Sequence, residues 1–228
     1  MIAMTTSLAK DEMRRFWTSG QAEVLCVHGD WGVGKTFAWN EVRTTSPPGK
    51  KPYSYVSLFG LGSIEDVKQA IVEGSDVIQE LATTASKGRK RLKELNTQSF
   101  FFKGLNVLLP GRGKEAEKLF QSVRFAGVHD QCICFDDIER KSSSLQLKDL
   151  MGLVSYLNEQ RRCSVVIILN DGEMSPAEKN DFLKYHEKVI DRNIIYDPTS
   201  KEASEIALPC EDTLQLSIKK FSVHLGIT

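Results

Sequence analysis

Five short runs of apolar and β-branched residues punctuate the chain, each closing at a Gly, Asp or Asn. They are Glu23–His28 (EVLCVH), Tyr53–Phe59 (YSYVSLF), Gln131–Phe135 (QCICF), Ser164–Leu169 (SVVIIL) and Asn193–Tyr196 (NIIY). Their hydrophobicity is nearly continuous and does not alternate, the pattern of strands buried on both faces of a parallel sheet. Helix-patterned segments lie between them. Leu8–Trp17 follows Ser7, a residue suited to an N-cap, and Lys35–Arg43 must stop before the breaker cluster Ser46-Pro47-Pro48. Ser63–Leu81 opens with S-x-x-D, a capping-box-like start, and repeats Ile64, Val67, Ile71, Val77, Ile78 and Leu81 near a 3.6 period. Leu145–Gln160 carries Leu147, Leu150, Leu153, Val154 and Leu157 in the same way. Strands alternating with helices predict a three-layer α/β fold with helices on both faces of the sheet.

The stretch Lys87–Arg124 is less regular, with a basic run (Lys87–Lys93), an apolar run (Phe100–Leu109) and then Pro110-Gly111-Arg112-Gly113. The expected organisation is an N-terminal helix and linker over 1–22 and a core over 23–200 with a helical insertion at about 61–125. From 201 to 228 we expect the start of a C-terminal helical lid. Asp212–Thr228 reads as one amphipathic helix cut before its terminus, the expectation for the N-terminal part of a longer chain.

Composition narrows the class. Lys+Arg and Asp+Glu both number 30, so there is no global basic excess to mark a nucleic-acid binder, and 41% apolar residues supply a core. No run approaches the ~18 uninterrupted apolar residues of a membrane-spanning helix. Phe100–Leu109 is short and broken by Lys103, which leaves at most a peripheral membrane contact. The opening MIAMTTSLAKDEMRRF lacks the basic head and apolar run of a secretory signal. Four of the five cysteines (Cys26, Cys132, Cys134, Cys163) sit inside strand-like runs and read as core thiols in a reducing, cytoplasmic setting; Cys210 is the fifth.

The strongest chemical signal is Gly29-Asp30-Trp31-Gly32-Val33-Gly34-Lys35-Thr36, a match to G-x-x-x-x-G-K-[ST] that follows the strand EVLCVH and opens the helix that continues through FAWNEVR. A loop that wraps a polyphosphate must turn its N–H groups inward, which glycines at positive φ permit, and must deliver the anion to a helix N-terminus. Lys35 adds a point charge for the β- and γ-phosphates, and Thr36 a hydroxyl for Mg²⁺. Residues 29 to 37 are the expected nucleotide contacts. Trp31 is bulky for such a loop and reads either as a lid packed over it or as a nucleotide contact.

The second signal is Cys132-Ile133-Cys134-Phe135-Asp136-Asp137, an apolar strand ending in two acids. Beside a phosphate loop, Asp136 can hold Mg²⁺ through its water shell and Asp137 can accept a proton from an attacking water. Glu139-Arg140 follows, read as a solvated helix start or as a nucleotide sensor. Asn170 ends the next strand, where an amide can bridge the γ-phosphate and the lytic water; Asn-Asp-Gly is also turn chemistry.

Together these elements resemble an additional-strand P-loop ATPase of the AAA+/STAND grade, and the KAP family of P-loop NTPases above all. The form G-x-W-G-x-G-K-T at Gly29–Thr36 carries the resemblance, with Val56-Ser57-Leu58-Phe59-Gly60 and Phe135-Asp136-Asp137-Ile138-Glu139-Arg140 in support, over about Glu23 to Tyr196. It implies a strand order of 5-1-4-3-2, Mg²⁺ served by Asp136, water activated by Asp137, and a role in antiphage defence or as a signalling scaffold. Many KAP proteins insert transmembrane helices within the domain, and this chain departs from them there.

ATP is the expected nucleotide, since neither N/T-K-x-D nor a D-x-x-G after the acidic strand is present. Three functions are weighed: a Mg²⁺-dependent ATPase that drives or times a conformational or assembly change, a nucleotide-gated oligomerisation switch or scaffold with little turnover, and a small-molecule kinase. The expected partner is a second copy of the chain or an effector protein; the basic run Lys87–Lys93 could bind nucleic acid but reads first as a solvated helix face, so nucleic acid is an open alternative that is not indicated. Arg124, Arg140 and Arg161 are candidates for an arginine finger, and Phe16–Gln21 and the lid for adenine contacts.

Overall fold

The computed structural model of the protein describes residues 6–46, 52–76, 122–170 and 172–207. The basic run, the apolar run Phe100–Leu109, Cys210 and the helix expected over Asp212–Thr228 lie outside them.

The five apolar runs form β1 (Val24–His28), β2 (Tyr53–Ser57), β3 (Cys132–Asp136), β4 (Ser164–Leu169) and β5 (Arg192–Ile195). They pair in parallel in one sheet of order β2-β3-β4-β1-β5, which from the other edge is the 5-1-4-3-2 order that the resemblance implies. The central strands β3 and β4 are buried at every position and β1 at all but its last, which explains their unbroken hydrophobicity. The edge strands β2 and β5 carry the exposed positions Tyr55 and Asn193.

Each face of the sheet is covered. Leu25, Val27, Cys132, Cys134, Val166 and Ile168 pack against α1 (Thr6–Ser19) and α2 (Lys35–Thr45). Cys26, Ile133, Phe135, Val165 and Ile167 face α3 (Ile64–Glu73), α4 (Leu147–Ser155) and α5 (Pro176–Val189). Cys26, Cys132, Cys134 and Cys163 are buried, core thiols as expected. Trp39 of α2 is wholly buried and meets Phe16 and Trp17 of α1 edge-on at 6.1 and 5.9 Å, while its Nε1 donates to the Tyr53 hydroxyl at 3.0 Å. Such aromatic pairs add about 0.5–1.5 kcal/mol each beyond area burial and hold α2 firmly on its face.

Two helices differ from expectation. The S-x-x-D start of α3 caps as read, with Ser63 accepting from the Asp66 amide at 3.1 Å, but the helix ends at Glu73. Gly74 presses on β2 there: a Cβ at that position would lie 2.2 Å from the Tyr55 carbonyl oxygen, and Ser75 bridges to Ser54. The helix expected to run on to Gln160 is α-helical to Ser155 and then widens into a π turn over Tyr156–Gln160. That turn keeps Leu157 buried while its carbonyl accepts the Cys163 N–H at 2.9 Å.

After β5, α6 (Ser200–Ala207) is capped by Thr199, whose hydroxyl and amide both donate to the Glu202 carboxylate. Glu202 also accepts the Thr6 amide at 3.3 Å, which docks α6 on the start of α1. Hydrogen bonds from Thr6 and Thr199 pull the Glu202 carboxyl down from its usual 4.5 to about 2. A depressed carboxyl contributes stability above its unfolded pKa and loses it as pH falls through the folded one. The melting temperature of the wild type minus that of Glu202→Gln is therefore expected to be constant above about pH 5 and to shrink steadily towards pH 2. A difference that stays flat across that window would remove Glu202 from the docking.

Candidate functional site

The strand-to-helix turn after β1 gathers the loop residues at the C-terminal edge of the sheet. Gly32 and Gly34 adopt φ of +83° and +87°, and Gly34 sits left-handed at the N-cap of α2 with no side chain capping the helix. The first amides of α2 thus meet no capping side chain, which is the donor array that binds anions. Lys35, at the first position of α2, turns back so that its Nζ donates to the Gly29 and Asp30 carbonyls, both at 2.7 Å. Gly29 approaches the end of β5 so closely that a Cβ would stand 2.3 Å from the Tyr196 carbonyl oxygen. Gly29→Ala must push that segment away, and Ala is strained at φ +158°. We expect a loss of about 1–3 kcal/mol, read as a lower denaturant midpoint; an unchanged midpoint would show that the contact is not needed.

Val33 packs against the α2 face of the core, whereas Trp31 is 75% and Phe37 57% exposed. Trp31 is therefore not a lid packed over the loop.

The acids arrive through strand parity. Cys132 and Cys134 face α2, so Asp136, two residues on, faces α2 as well and comes under its first turn. Thr36 Oγ1 donates to Asp136 Oδ2 at 2.7 Å across 100 residues of sequence. The Tyr55 hydroxyl donates to the same oxygen at 2.9 Å, and the Asp137 amide donates to Oδ1 at 2.9 Å. Burial first, and the Asp136 charge next, push the Tyr55 hydroxyl pKa up, so it stays a proton donor.

Asp137 is left-handed, at φ 60° and ψ 38°, an uncommon conformation for a residue other than glycine. It turns the chain into a 3₁₀ segment, Ile138–Arg140. Ser57 at the end of β2 donates to its Oδ2 at 2.8 Å, and Arg140 lies 3.5 Å from its Oδ1. The Arg140 guanidinium also stacks over the exposed Phe59 ring at 4.2 Å.

Glu139 is no solvated helix start. Its carboxylate accepts the Asn170 amide at 3.2 Å, joining the acid turn to the tip of β4, and burial raises its pKa. Lys141 extends the link by pairing with Glu178 of α5 at 2.8 Å. Asn170 is buried, with Oδ1 accepting the Gly172 amide at 3.0 Å, so it closes the turn and also lies at the strand tip beside the acids.

Two groups of candidates lie elsewhere. Arg161 precedes β4, at the edge of the sheet opposite the loop, with its guanidinium on the Ala126 carbonyl and the Tyr156 hydroxyl. Phe16 and Trp17 are buried in the core, and the Gln21 carbonyl accepts from Ser164 at the start of β4. The segment Phe16–Gln21 thus runs to the edge of the sheet at which β4 begins. Tyr55 was not legible as a site residue from the sequence; the only trace was a polar tip on an aromatic ring two residues before Ser57, on the strand that borders the acids.

The fold and its loop define the class: an α/β P-loop NTPase fold with a five-stranded parallel sheet. Among solved structures, the Walker-type ATPase PABY2304 of Pyrococcus abyssi is similar at a TM-score of 0.50 and 16% identity, over 96% of this chain and 63% of that one. Cdc6p from Pyrobaculum aerophilum matches at a TM-score of 0.46 and 14% identity, over 89% of this chain and 47% of that one. The chain thus spans about half to two thirds of the length of these structures, and the first of the two likenesses bears on the fold alone. No family model matches the chain, and no curated protein does.

Proposed function

We propose that this protein binds ATP with Mg²⁺ and hydrolyses it to drive or time a conformational or assembly change. The observation that carries the reading is the 2.7 Å bond between Thr36 and Asp136, which brings the last loop residue and the first strand-tip acid together at the open N-terminus of α2. A hydroxyl and a carboxylate are hard oxygen donors suited to Mg²⁺, which takes one or two carboxylates together with substrate phosphates. Thr36 and Asp136 would hold it, and it would neutralise charge on the β- and γ-phosphates.

The remaining residues supply positioning. The loop amides and Lys35 bind the phosphate tail, and Lys35 exchanges its two carbonyl partners for phosphate oxygens. Asp137 accepts the proton of the attacking water once released from Ser57, and Asn170 orients that water from the β4 tip. Residues 29 to 37 are the proposed nucleotide contacts, including Trp31 and Phe37, whose exposed rings can cover a bound nucleotide.

One observation favours the second reading, a nucleotide-gated switch with little turnover: both carboxylate oxygens of Asp137 are engaged, by Ser57 and Arg140. Each oxygen keeps a further lone pair, so a water reaches this acid only from the directions that Ser57 and Arg140 leave open. The motif resemblance to KAP NTPases supports placement in that family, and through it a part in antiphage defence, action as a homo-oligomer or on an effector, and a cytoplasmic location. No helix among the described residues is long and apolar enough to cross a membrane. The deciding experiment is ATP turnover measured together with particle mass, with and without ATP. Turnover coupled to a mass change supports the first reading, a mass change with bound but unhydrolysed ATP supports the second, and no binding refutes both.

A further inference from the structure

Asp136 Oδ2 receives two hydroxyls, from Thr36 on the α2 side and from Tyr55 on the edge strand, while Oδ1 receives the Asp137 amide. The sheet register creates the second contact. Tyr55 is paired with Cys134, so Asp136 lies two residues further along the neighbouring strand on the same face, a diagonal that a tyrosine spans and an aliphatic side chain does not. Packing does not require the hydroxyl: Tyr55 is 37% exposed on an edge strand, and a phenylalanine there would cover the same surface. An unrestrained aspartate has a broad χ2 well, whereas donors arriving from three elements hold this carboxylate plane in one orientation.

We propose that Tyr55 is a positioning residue for the divalent cation of the nucleotide complex, its hydroxyl fixing the Asp136 carboxylate where the water shell of an ion beside Thr36 meets it. The inference rests on the nucleotide reading above. Thr36 donates its proton to Asp136 and keeps lone pairs for the ion, and Tyr55 holds the acceptor still while that happens. Groups that orient a metal-binding carboxylate through hydrogen bonds typically contribute 10- to 100-fold to metal affinity.

The test compares wild type, Tyr55→Phe, Asp136→Asn and the double variant in the presence of a saturating non-hydrolysable ATP analogue. Mn²⁺ binding is read from the electron paramagnetic resonance signal of free Mn²⁺. Tyr55→Phe is expected to weaken Mn²⁺ about tenfold, while analogue affinity in EDTA and the metal-free melting temperature stay at wild-type values. In the Asp136→Asn background the same substitution is expected to have no further effect. Equal or tighter Mn²⁺ binding by Tyr55→Phe, or a loss of the same size without Asp136, overturns the inference and leaves the nucleotide site standing. Failure of the wild type to bind the analogue at all overturns both.

Discussion

Lys35→Ala is expected to lower ATP affinity by about 10- to 100-fold, since a charge-assisted contact to phosphate is worth about 1.5–3 kcal/mol and each 1.4 kcal/mol is a factor of ten. The geometry explains why the loss falls on binding and not on folding. Lys35 Nζ donates to two carbonyls of its own loop, Gly29 and Asp30, partners that phosphate oxygens would replace. Its stem is buried, which makes Lys35→Met the companion variant: it keeps the packing and removes the charge. Both variants should bind ATP equally poorly in calorimetry and melt within a few degrees of wild type. Affinity within about threefold of wild type would sink the assignment of the loop as a phosphate cradle.

Asp137→Asn should separate binding from chemistry. A positioned general base contributes about 10²–10⁴-fold, so single-turnover hydrolysis is expected to fall by that factor while ATP affinity changes little. Asn is the right replacement because it tolerates the left-handed conformation at φ 60°, whereas alanine would add backbone strain to the lost carboxylate. If the protein works as a switch, the wild type itself turns over slowly and Asp137→Asn assembles with ATP as the wild type does. Undiminished hydrolysis in a wild type that turns over readily would remove Asp137 from the reaction and direct attention to Glu139, the half-buried acid bonded to the tip of β4.

Particular residues show how far the linear chain could be read. QCICF and SVVIIL are strands because their continuous apolar character suits burial on both faces, and both are central in the sheet. The loop was legible because its glycines, Lys35 and Thr36 act within a few residues of one another. Helix ends were less legible. α3 stops at Glu73, and Gly74, the next residue, lies against the Tyr55 carbonyl, a contact that local pattern does not reveal. The Glu139-Arg140 turn reads from sequence as solvated or sensing; Glu139 meets the Asn170 amide just past β4 and Arg140 stacks on Phe59 just past β2, residues distant in sequence.

What the sequence settled unaided was local: five buried strands, the phosphate-loop signature with its helix, and an acid pair closing an apolar strand. Each depends on side-chain period and backbone freedom over ten or so residues. The tertiary structure decided which polar groups meet. Ser57 and Tyr55 reach Asp137 and Asp136 across separations of 80 and 81 residues, through a register that aligns Ser57 with Asp136. A hydrogen bond is lost within about an ångström of misplacement, whereas hydrophobic burial tolerates such shifts. The fold can therefore be inferred from pattern, but the partners of the acids follow only from the pairing of β2 with β3.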